Sequence, residues 1–309
     1  MSNSLGNQLA IVIPFFKIYY LENLLLSLVA QTDQRFNLYI GDDASPHNIG
    51  DIITKYNNVL QITYKRFDEN LGSSSLAKHW HRSISLTKGE GWIWLFGDDD
   101  MMDANCVSDF YSNIDDIHHV YRFSTQCIDS RGCTTKKPQI VKSNEFRSDY
   151  IRNRLLEKQR VSLSECIFSR ISYDYVRGFM EMPLAYASDV VAWYMFSGKT
   201  GIRGINTSKV YLRSSGFNIS SRQDNLDKKR FAMDNIFYKW VESVEPDIFK
   251  KTMVDRKYIN DVRVMINGGD NFFHILKFII SFKFKVIIFT RYRGLKILLH
   301  SRLKNVFSN

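Results

Sequence analysis

An apolar aromatic run ends abruptly in three adjacent carboxylates within the first third of the chain. Residues 92–96 read W-I-W-L-F, and Gly97 separates them from Asp98, Asp99 and Asp100. The run has the length and composition of a buried strand. Neighbouring carboxylates repel one another and cost free energy unless a cation lies among them. The segment therefore favours a divalent metal site over the alternative, a solvated acidic turn.

The residues before this run alternate between strand-like and helix-like patterns. Short runs rich in β-branched and aromatic residues predict strands, and leucines at helical spacing predict the helices between them. Such alternation is typical of parallel βαβ units in a sheet that helices cover on both faces. The predicted strands are residues 9–13 (stopped by Pro14), 36–40 and 59–64, and the predicted helices are residues 20–31, 49–56 and about 73–86.

The second half of the chain is less regular. It contains strand-like patterns at residues 120–128, 162–169 and 203–213, and mainly helical patterns from residue 225 onward. Residues 103–113 and 144–158 are predicted as helices, and another helix is predicted to begin at Ser188.

Polar or strand-ending residues follow three of the predicted strands. Pro14 ends the first strand, Asp42 and Asp43 end the second, and the three aspartates end the fourth. In open α/β sheets, ligands bind beyond the carboxyl ends of the strands. The sequence therefore predicts a ligand site along one edge of one sheet.

The positive charge is concentrated at the C-terminal end. The formal net charge is +10 at pH 7, and no acidic residue follows Asp270. No apolar run there reaches the roughly 18 uncharged residues of a membrane-spanning helix. Because basic amphipathic segments bind anionic membrane surfaces, we expect peripheral membrane contact; the alternative is a helix that packs on the body. The basic residues of this tail are Lys277, Lys283, Lys285, Arg291, Arg293, Lys296, Arg302 and Lys304.

The four cysteines and the N-terminal residues favour a cytoplasmic protein. The cysteines form no C-x-x-C pair, and we expect them to be reduced. The first eight residues lack the basic and apolar regions of a signal peptide, so we expect no secretion.

Four motifs, in this order and spacing, resemble glycosyltransferase family 2. They are A-I-V-I-P-F-F-K at residues 10–17, Y-I-G-D-D-A-S-P at 39–46, N-L-G-S-S-S-L-A-K-H at 70–79 and W-I-W-L-F-G-D-D-D-M-M at 92–102. The resemblance covers roughly the first 105 residues. Variants that end in G-D-D-D resemble bacterial enzymes that assemble O-antigen and other surface polysaccharides.

The resemblance implies an α/β chain with the GT-A fold, a Rossmann-like and mostly parallel sheet flanked by helices. It implies an inverting glycosyltransferase that moves a sugar from a nucleotide diphosphate, UDP in the first instance, to a lipid-linked saccharide at the cytoplasmic membrane. The expected division is a nucleotide-sugar-binding half (1–105), an acceptor-binding and catalytic half (106–224) and a basic helical region (225–309). The alternatives are a sugar-phosphate nucleotidyltransferase and a nucleic-acid-binding protein, although the apolar runs of the tail favour lipid over nucleic acid.

The resemblance also assigns donor contacts. Asp42 or Asp43 would accept a hydrogen bond from the nucleotide base, and an Asx-turn is the alternative for both. Pro14, Phe15 and Phe16 would shape the base and ribose slot, and an ordinary strand end is the alternative. Asn70 and Gly72 would let the backbone pass close to the donor, and a plain turn is the alternative. Lys78 would contact a phosphate, and a solvated helix lysine is the alternative.

In the family, an Asp-x-Asp motif holds Mg²⁺ or Mn²⁺ on the pyrophosphate of the donor. Gly97 occupies the position where the common pattern has its first Asp, so the register stays open. We take Asp98 and Asp100 as the metal pair, with Asp99 near the ribose or the donor sugar.

The family places its catalytic base in an E-D element at the start of a helix. Here the matching element is Ser188-Asp189, which makes Asp189 the candidate base; the alternatives are a simple helix cap, or Asp174 as base. Arg213, with Ser214, Ser215 and Ser220, would form a loop that closes over the pyrophosphate.

Overall fold

The computed structural model describes residues 8–216, 225–268, 270–281 and 294–299. The contacts divide the chain into two compact units. The first unit comprises residues 1–150 and 159–237, and the second comprises residues 151–158 and 238–309. The three-part functional division expected from the sequence stays a prediction, because compactness alone assigns no role to a segment.

The first unit is built around a mixed β-sheet. Among the described residues, nine strands form one sheet, in the order β3-β2-β1-β4-β8-β6-β9-β5, with β7 paired to β9. The strands are β1 (Leu9–Phe15), β2 (Phe36–Asp42), β3 (Ile62–Arg66), β4 (Trp92–Leu95), β5 (Met101–Met102), β6 (Val120–Ile128), β7 (Asn144–Glu145), β8 (Cys166–Ser169) and β9 (Ile202–Arg213).

The strands of the first hundred residues are parallel, as their alternation with helices predicts. β1 lies at the centre, with β2 on one side and β4 on the other, and β3 follows β2. β1 continues through Pro14, which pairs in register with Gly41, so the prediction that this proline stops the strand is wrong. The predicted start of the third strand at residue 59 is also wrong, because a helix extends to Leu60 and β3 begins at Ile62.

The second half adds antiparallel neighbours. β8 lies between β4 and β6 and is antiparallel to both, while β9 is parallel to β6. Residues 162–165 were predicted as part of this strand, but they form a short 3₁₀ turn (Leu163–Glu165) instead. The predicted helix at 144–158 is shorter than expected, since Asn144–Glu145 pairs with β9 as β7.

Helices cover the sheet of the first unit and supply its core. Leu21, Leu24, Leu25 and Leu28 are fully buried on one face of the first helix, as their spacing predicts. The helices are α1 (Leu21–Val29), α2 (Gly50–Leu60), α3 (Leu76–Ile84), α4 (Cys106–Asn113), α5 (Arg147–Leu155, continuing into the second unit), α6 (Arg170–Val176), α7 (Ser188–Phe196) and α8 (Leu226–Phe231), followed by a π-helical stretch (Ala232–Phe237).

The second unit is helical. It contains α9 (Tyr238–Val244), α10 (Pro246–Asn267), α11 (Phe272–Ser281) and a helical turn at residues 294–299. Tyr258, Val262, Ile275, Ile279 and Leu298 form its own small apolar core. Within the described ranges, no helix combines the length and the apolar character needed to span a bilayer. Much of the basic tail after Asp270 lies outside the described residues, at 282–293 and 300–309.

The contribution of the buried Glu90 to the stability of the fold can be tested. Its carboxylate is fully buried and accepts hydrogen bonds from Asn37 Nδ2 (2.7 Å), Tyr39 Oη (2.5 Å) and the main-chain N–H of Lys88 (2.9 Å). Burial raises the pKa of Glu90, but the hydrogen bonds from Tyr39 and Asn37 outweigh it and hold the pKa below its usual value.

We expect Glu90→Gln to lower the free energy of unfolding at pH 7 by ~1–3 kcal/mol, because hydrogen bonds to a buried charged group are lost. The folded-state pKa is depressed, so this contribution is full above the unfolded pKa and fades as the pH falls through the folded pKa. Urea unfolding at pH 7 and pH 4 checks this. Glu22→Gln, which breaks an exposed pair with Lys55, is the control and should change little. Equal losses at both pH values would contradict the account.

Candidate active site

The carboxyl ends of β1, β2 and β4 meet at one edge of the sheet, where main-chain and side-chain hydrogen bonds join them. The N–H of Asp43 donates to the carbonyl of Phe15 (3.0 Å), and Ser45 Oγ donates to the carbonyl of Phe16 (2.8 Å). The N–H of Phe16 donates in turn to Asp98 Oδ2 (3.0 Å). The sequence motifs after these three strands are therefore contiguous in space.

Asp98 faces the end of β1. Its Oδ2 also accepts the N–H of Lys17 (2.8 Å), and Lys17 Nζ lies 3.8 Å from Asp98 Oδ1 and 3.7 Å from Asp99 Oδ2. Burial raises the pKa of Asp98, while Lys17 opposes the rise. Lys17 thus places positive charge between two of the three carboxylates.

Asp100 is held by two donors from distant segments. Ser164 Oγ donates to Asp100 Oδ2 (2.6 Å), and the N–H of Arg213 donates to Asp100 Oδ1 (2.9 Å). The residue is only 9% exposed, and burial, with the Asp99 charge beside it, raises its pKa to about 8. A Cβ added at Gly97 would lie 3.1 Å from Asp100 Oδ2, so any larger residue at this position would crowd the carboxylate.

Arg213 clamps the loop from the end of β9. Its Nε donates to the carbonyl of Asp99 (3.0 Å), its Nη1 donates to the carbonyl of Asp129 (3.0 Å), and its guanidinium lies 4.3 Å from the ring centre of Tyr20. Ser215 Oγ donates to Asp99 Oδ2 (3.1 Å). Arg213 is 5% exposed, so the structure places it under the carboxylate loop rather than on a solvent-facing lid. Ser220 lies outside the described residues.

The donor set of Asp98–Asp100 fits a divalent cation in its chemistry. Three buried carboxylates with oxygen ligands suit Mg²⁺ or Mn²⁺, and two of the three have raised pKa values because burial disfavours their charged forms. Within the described part of the chain, no three His, Cys, Asp or Glu side chains already converge on one point. Such a cage is not required, since Mg²⁺ is commonly held by one or two carboxylates together with substrate phosphates.

Asp42 is buried and fixes the outer strands to the site. Its Oδ1 accepts the N–H of Ser45 (2.7 Å), and its Oδ2 accepts Tyr64 Oη (2.7 Å) and Arg66 Nη1 (3.0 Å). Burial, with the Asp42 hydrogen bond, raises the pKa of Tyr64 to about 12. Asp42 therefore joins the end of β2 to the end of β3.

Asp43 accepts hydrogen bonds from the N-L-G loop, residues 70–72. Its Oδ1 accepts the N–H of Leu71 (2.9 Å) and a hydrogen bond from Arg82, and its Oδ2 accepts the N–H of Gly72 (2.9 Å). A Cβ on Gly72 would lie 2.5 Å from Asp43 Oδ2, so Asp43 itself accounts for the glycine. Asn70 caps the 3₁₀ turn Leu71–Ser73 by accepting the N–H of Ser73 (2.9 Å).

The remaining donor-side candidates differ in exposure. Phe15 is fully buried in the core, whereas Phe16 is 36% exposed beside Asp98, and Pro14 is partly buried. Lys78 lies on α3 at the surface, where its Nζ is 3.6 Å from Glu181 Oε1. The structure brings Pro14 and Phe16 to the carboxylate edge and leaves Lys78 in an exposed ion pair.

Asp189 lies in the first turn of α7, after a backbone segment with unusual dihedral angles. Leu184, Ala185 and Ala187 all have positive φ (60°, 49° and 71°), a conformation that non-glycine residues adopt at a cost and that concentrates at functional sites. Asp189 Oδ1 accepts the N–H of Val190 (2.8 Å). The buried Trp193 and Phe196 of α7 pack on Phe168 of β8, which anchors the helix to the sheet.

A buried ion pair follows Ser164 in the chain. Glu165 Oε1 lies 3.2 Å from Arg122 Nη2, and both side chains are fully buried. Burial raises the pKa of Glu165 to about 7; Arg122 opposes the rise, and the Asp189 charge adds to it. Glu165 directly follows Ser164, the partner of Asp100. Asp174, the weaker candidate base, lies elsewhere: it lines a cavity of about 1060 Å³ with Phe36 and Trp92 at the starts of β2 and β4.

Sequence reasoning missed the residues that hold the carboxylates in place. Ser164 lies 64 positions from Asp100, and Tyr64 and Arg66 carry no motif, so only the fold brings them to the site. Lys17 directly follows P-F-F at the end of β1, a position that could have suggested a role.

The sequence model of glycosyl transferase family 2 matches residues 10–175. This span is more than half of the chain and contains all four motifs, so the protein belongs to this family and is a glycosyltransferase. The assignment decides between the two enzyme classes considered from the sequence, and it favours the glycosyltransferase over the nucleotidyltransferase. No curated protein sequence matches the chain.

The fold is similar to solved glycosyltransferase structures. S. aureus TarS 1–349 in complex with UDP-GlcNAc matches with a TM-score of 0.64 and 15% identity, over 95% of this chain and 81% of that one. GalNAc-T7 with UDP, GalNAc and Mn²⁺ matches with a TM-score of 0.53 and 10% identity, over 83% of this chain and 51% of that one. These likenesses show the fold, and the predicted α/β GT-A architecture is confirmed.

Proposed function

We propose that the protein is an inverting, metal-dependent glycosyltransferase that moves a sugar from a UDP-sugar to a lipid-linked saccharide during surface-polysaccharide synthesis. The observation that carries the proposal is the carboxylate loop Asp98–Asp100, buried at the end of β4 and bonded to the end of β1. An α/β sheet binds its ligand at this edge. A divalent cation bound with the nucleotide diphosphate would supply the positive charge that three adjacent carboxylates lack.

The choice of UDP is supported by the solved relatives. TarS was crystallised with UDP-GlcNAc and with UDP, and GalNAc-T7 with UDP and Mn²⁺. In this chain, the surface available to a base and ribose lies at Pro14 and Phe16, next to the loop fixed by Asp42. The two carboxylates Asp42 and Asp43 accept several protein hydrogen bonds, and they hold that surface in shape.

The cation would be held by Asp98 and Asp100, with Asp99 beside the ribose or donor sugar. When bound, Mg²⁺ or Mn²⁺ acts as a Lewis acid that neutralises charge developing on the departing nucleotide diphosphate. Lys17 balances charge at Asp98 and Asp99, and Arg213 keeps the loop from opening.

Asp189 is the proposed general base. An in-line displacement with inversion needs a group on the far side of the sugar to take the proton of the acceptor hydroxyl. Asp189 is partly exposed at the start of α7, where the strained turn before it fixes the direction of the helix. Its carboxylate oxygen would accept this proton as the hydroxyl attacks.

The lipid-linked acceptor and the cytoplasmic, peripheral location are supported by the second unit. On α11, Phe273 is 73% exposed and Ile280 is 69% exposed, on a segment that has basic residues and, after Asp270, no acidic ones. Exposed apolar side chains with basic neighbours suit the surface of an anionic bilayer, where each Lys or Arg contributes about 1 kcal/mol.

A thermal-shift screen of nucleotide diphosphates and their sugars, with and without Mn²⁺, tests the proposed function. We expect UDP and a UDP-sugar to raise the melting temperature only when Mn²⁺ is present, because binding to the folded state stabilises it. Asp100→Asn keeps the shape of the side chain but cannot ionise to bind a cation, and should lose this Mn²⁺-dependent part. Stabilisation by every nucleotide alike, or by none, would contradict the proposal.

Asp189→Asn tests the proposed base. We expect UDP release from the donor, in the presence of lipid-linked saccharides extracted from the expressing cells, to fall by roughly 10²–10⁴-fold, which is the usual contribution of a general base. Donor binding in the thermal-shift assay should stay unchanged. Asp174→Asn, an exposed aspartate at the opposite edge of the sheet, is the matched control. Full turnover by Asp189→Asn would assign the base elsewhere.

Sedimentation with lipid vesicles tests the tail. A variant with the eight basic residues after Asp270 changed to Gln keeps the apolar residues of α11, of which Ile275 and Ile279 belong to the core of the second unit. We expect the wild type to pellet with phosphatidylglycerol vesicles and the variant to remain in the supernatant. Phosphatidylcholine vesicles, which lack net charge, are the control. If the variant still pellets with the anionic vesicles, the basic residues do not drive membrane contact.

A further inference from the structure

The side chain of Ser164 lies between the carboxylate loop and the turn that leads into β8. Ser164 is 1% exposed. Its hydroxyl donates to Asp100 Oδ2 (2.6 Å) and accepts the N–H of Gly97 (2.9 Å). One hydroxyl therefore joins both ends of the Gly97–Asp100 loop to a segment more than sixty residues away.

The hydroxyl completes the fixation of Asp100. The other oxygen of this carboxylate accepts the N–H of Arg213 (2.9 Å), so each oxygen has a donor from a different element. Two donors on the two oxygens fix the rotation of the carboxylate about its last bond. An ionised carboxylate has about four lone-pair sites, so acceptor capacity remains for a cation.

We propose that Ser164 is a positioning residue that sets the Asp100 carboxylate to receive the divalent cation of the donor complex. The inference rests on the proposed function, since it takes Asp100 as a cation ligand. It goes beyond that function because it assigns a role to a residue that lies in none of the four motifs. Partners of metal ligands commonly tune affinity in this way, and their loss typically costs about 10–100-fold in metal affinity or activity.

The main chain of Ser164 has a separate, structural role. Its carbonyl accepts Trp94 Nε1 (2.7 Å), and β8 pairs with β4 along Trp92, Ile93 and Trp94. These contacts do not involve the hydroxyl. Removing the hydroxyl should therefore leave β8 on β4, while Asp100 loses one donor and the N–H of Gly97 loses its acceptor.

The experiment measures how the UDP-induced rise in melting temperature depends on MnCl₂ concentration. Full-length wild type, Ser164→Ala and Ser164→Thr are compared with UDP at one fixed concentration. Thr125→Val is the control, because Thr125 is fully buried in the same unit and its hydroxyl has no hydrogen-bond partner among the described residues. Melting temperatures without UDP and MnCl₂ report any loss of structure alone.

We expect Ser164→Ala to need roughly 10–100-fold more MnCl₂ for half of the UDP-induced shift. Ser164→Thr, which keeps the hydroxyl, should return this concentration towards the wild-type value, and Thr125→Val should match the wild type. If Ser164→Ala does not fold, Ser164→Cys, which replaces the hydroxyl by a weaker donor of similar size, should show the same direction of change.

An unchanged MnCl₂ requirement in Ser164→Ala or Ser164→Cys overturns the inference and leaves the proposed function standing. A lower melting temperature without ligands, together with an unchanged MnCl₂ requirement, also overturns it, because a purely structural role predicts that result. If wild-type protein shows no Mn²⁺-dependent response to UDP, the proposed function fails first, and the inference fails with it.

Discussion

Three buried carboxylates side by side are the constraint on which the rest of this structure depends. Asp98, Asp99 and Asp100 are each less than a tenth exposed, and burial and the neighbouring charge raise the pKa of Asp98 and of Asp100. Donors from three separate segments surround them: the end of β1, the turn before β8 and the end of β9. The loop is therefore held from three sides, and Lys17 lies beside two of its three carboxylates.

Asp42 and Asp43 lie at the same edge of the sheet, but their role differs from that of Asp98–Asp100. Tyr64 and Arg66 bind the first, and the N-L-G loop and Arg82 bind the second. Most of their hydrogen-bonding capacity goes into joining β2, β3 and α3. The site thus combines a scaffold whose carboxylates are paired within the protein and a loop whose charge favours a cation.

The turn at residues 163–165 carries a partner of the carboxylate loop and one member of a buried ion pair. Ser164 binds the carboxylate loop, and the next residue, Glu165, pairs with Arg122 within electrostatic reach of Asp189. A shift of this turn would move the hydroxyl that binds the proposed cation ligand Asp100.

The sequence predicted the parts of the fold that depend on local patterns. The alternation of strand-like and helix-like patterns predicted the parallel half of the sheet. The spacing of the leucines in α1 predicted the buried face of that helix. Clustering of Pro14, Asp42 and Asp98 followed from their positions at strand ends. Pro14 was misjudged because β1 pairs with β4 only as far as Val12, so a residue without an N–H is tolerated beyond that point. A local pattern does not reveal where such pairing ends.

The partners of the site residues were beyond sequence reasoning for a physical reason. Ser164 and Tyr64 act through contacts that span 64 and 22 positions. Arg213 was predicted to form a loop over the pyrophosphate, but its hydrogen bond to Asp100, which spans 113 positions, was not predicted. Nothing in the local sequence distinguishes such a serine or tyrosine from an ordinary one. The same holds for the antiparallel insertion of β8 between β4 and β6, which places Ser164 beside Asp100.

The most direct test of the account is a crystal structure with UDP and MnCl₂, in which anomalous scattering locates the manganese. We expect the ion within about 2.0–2.2 Å of an oxygen of Asp98 or Asp100, in contact with the pyrophosphate of UDP. An ion and nucleotide bound away from the Asp98–Asp100 loop, such as in the cavity at the opposite edge of the sheet, would contradict it.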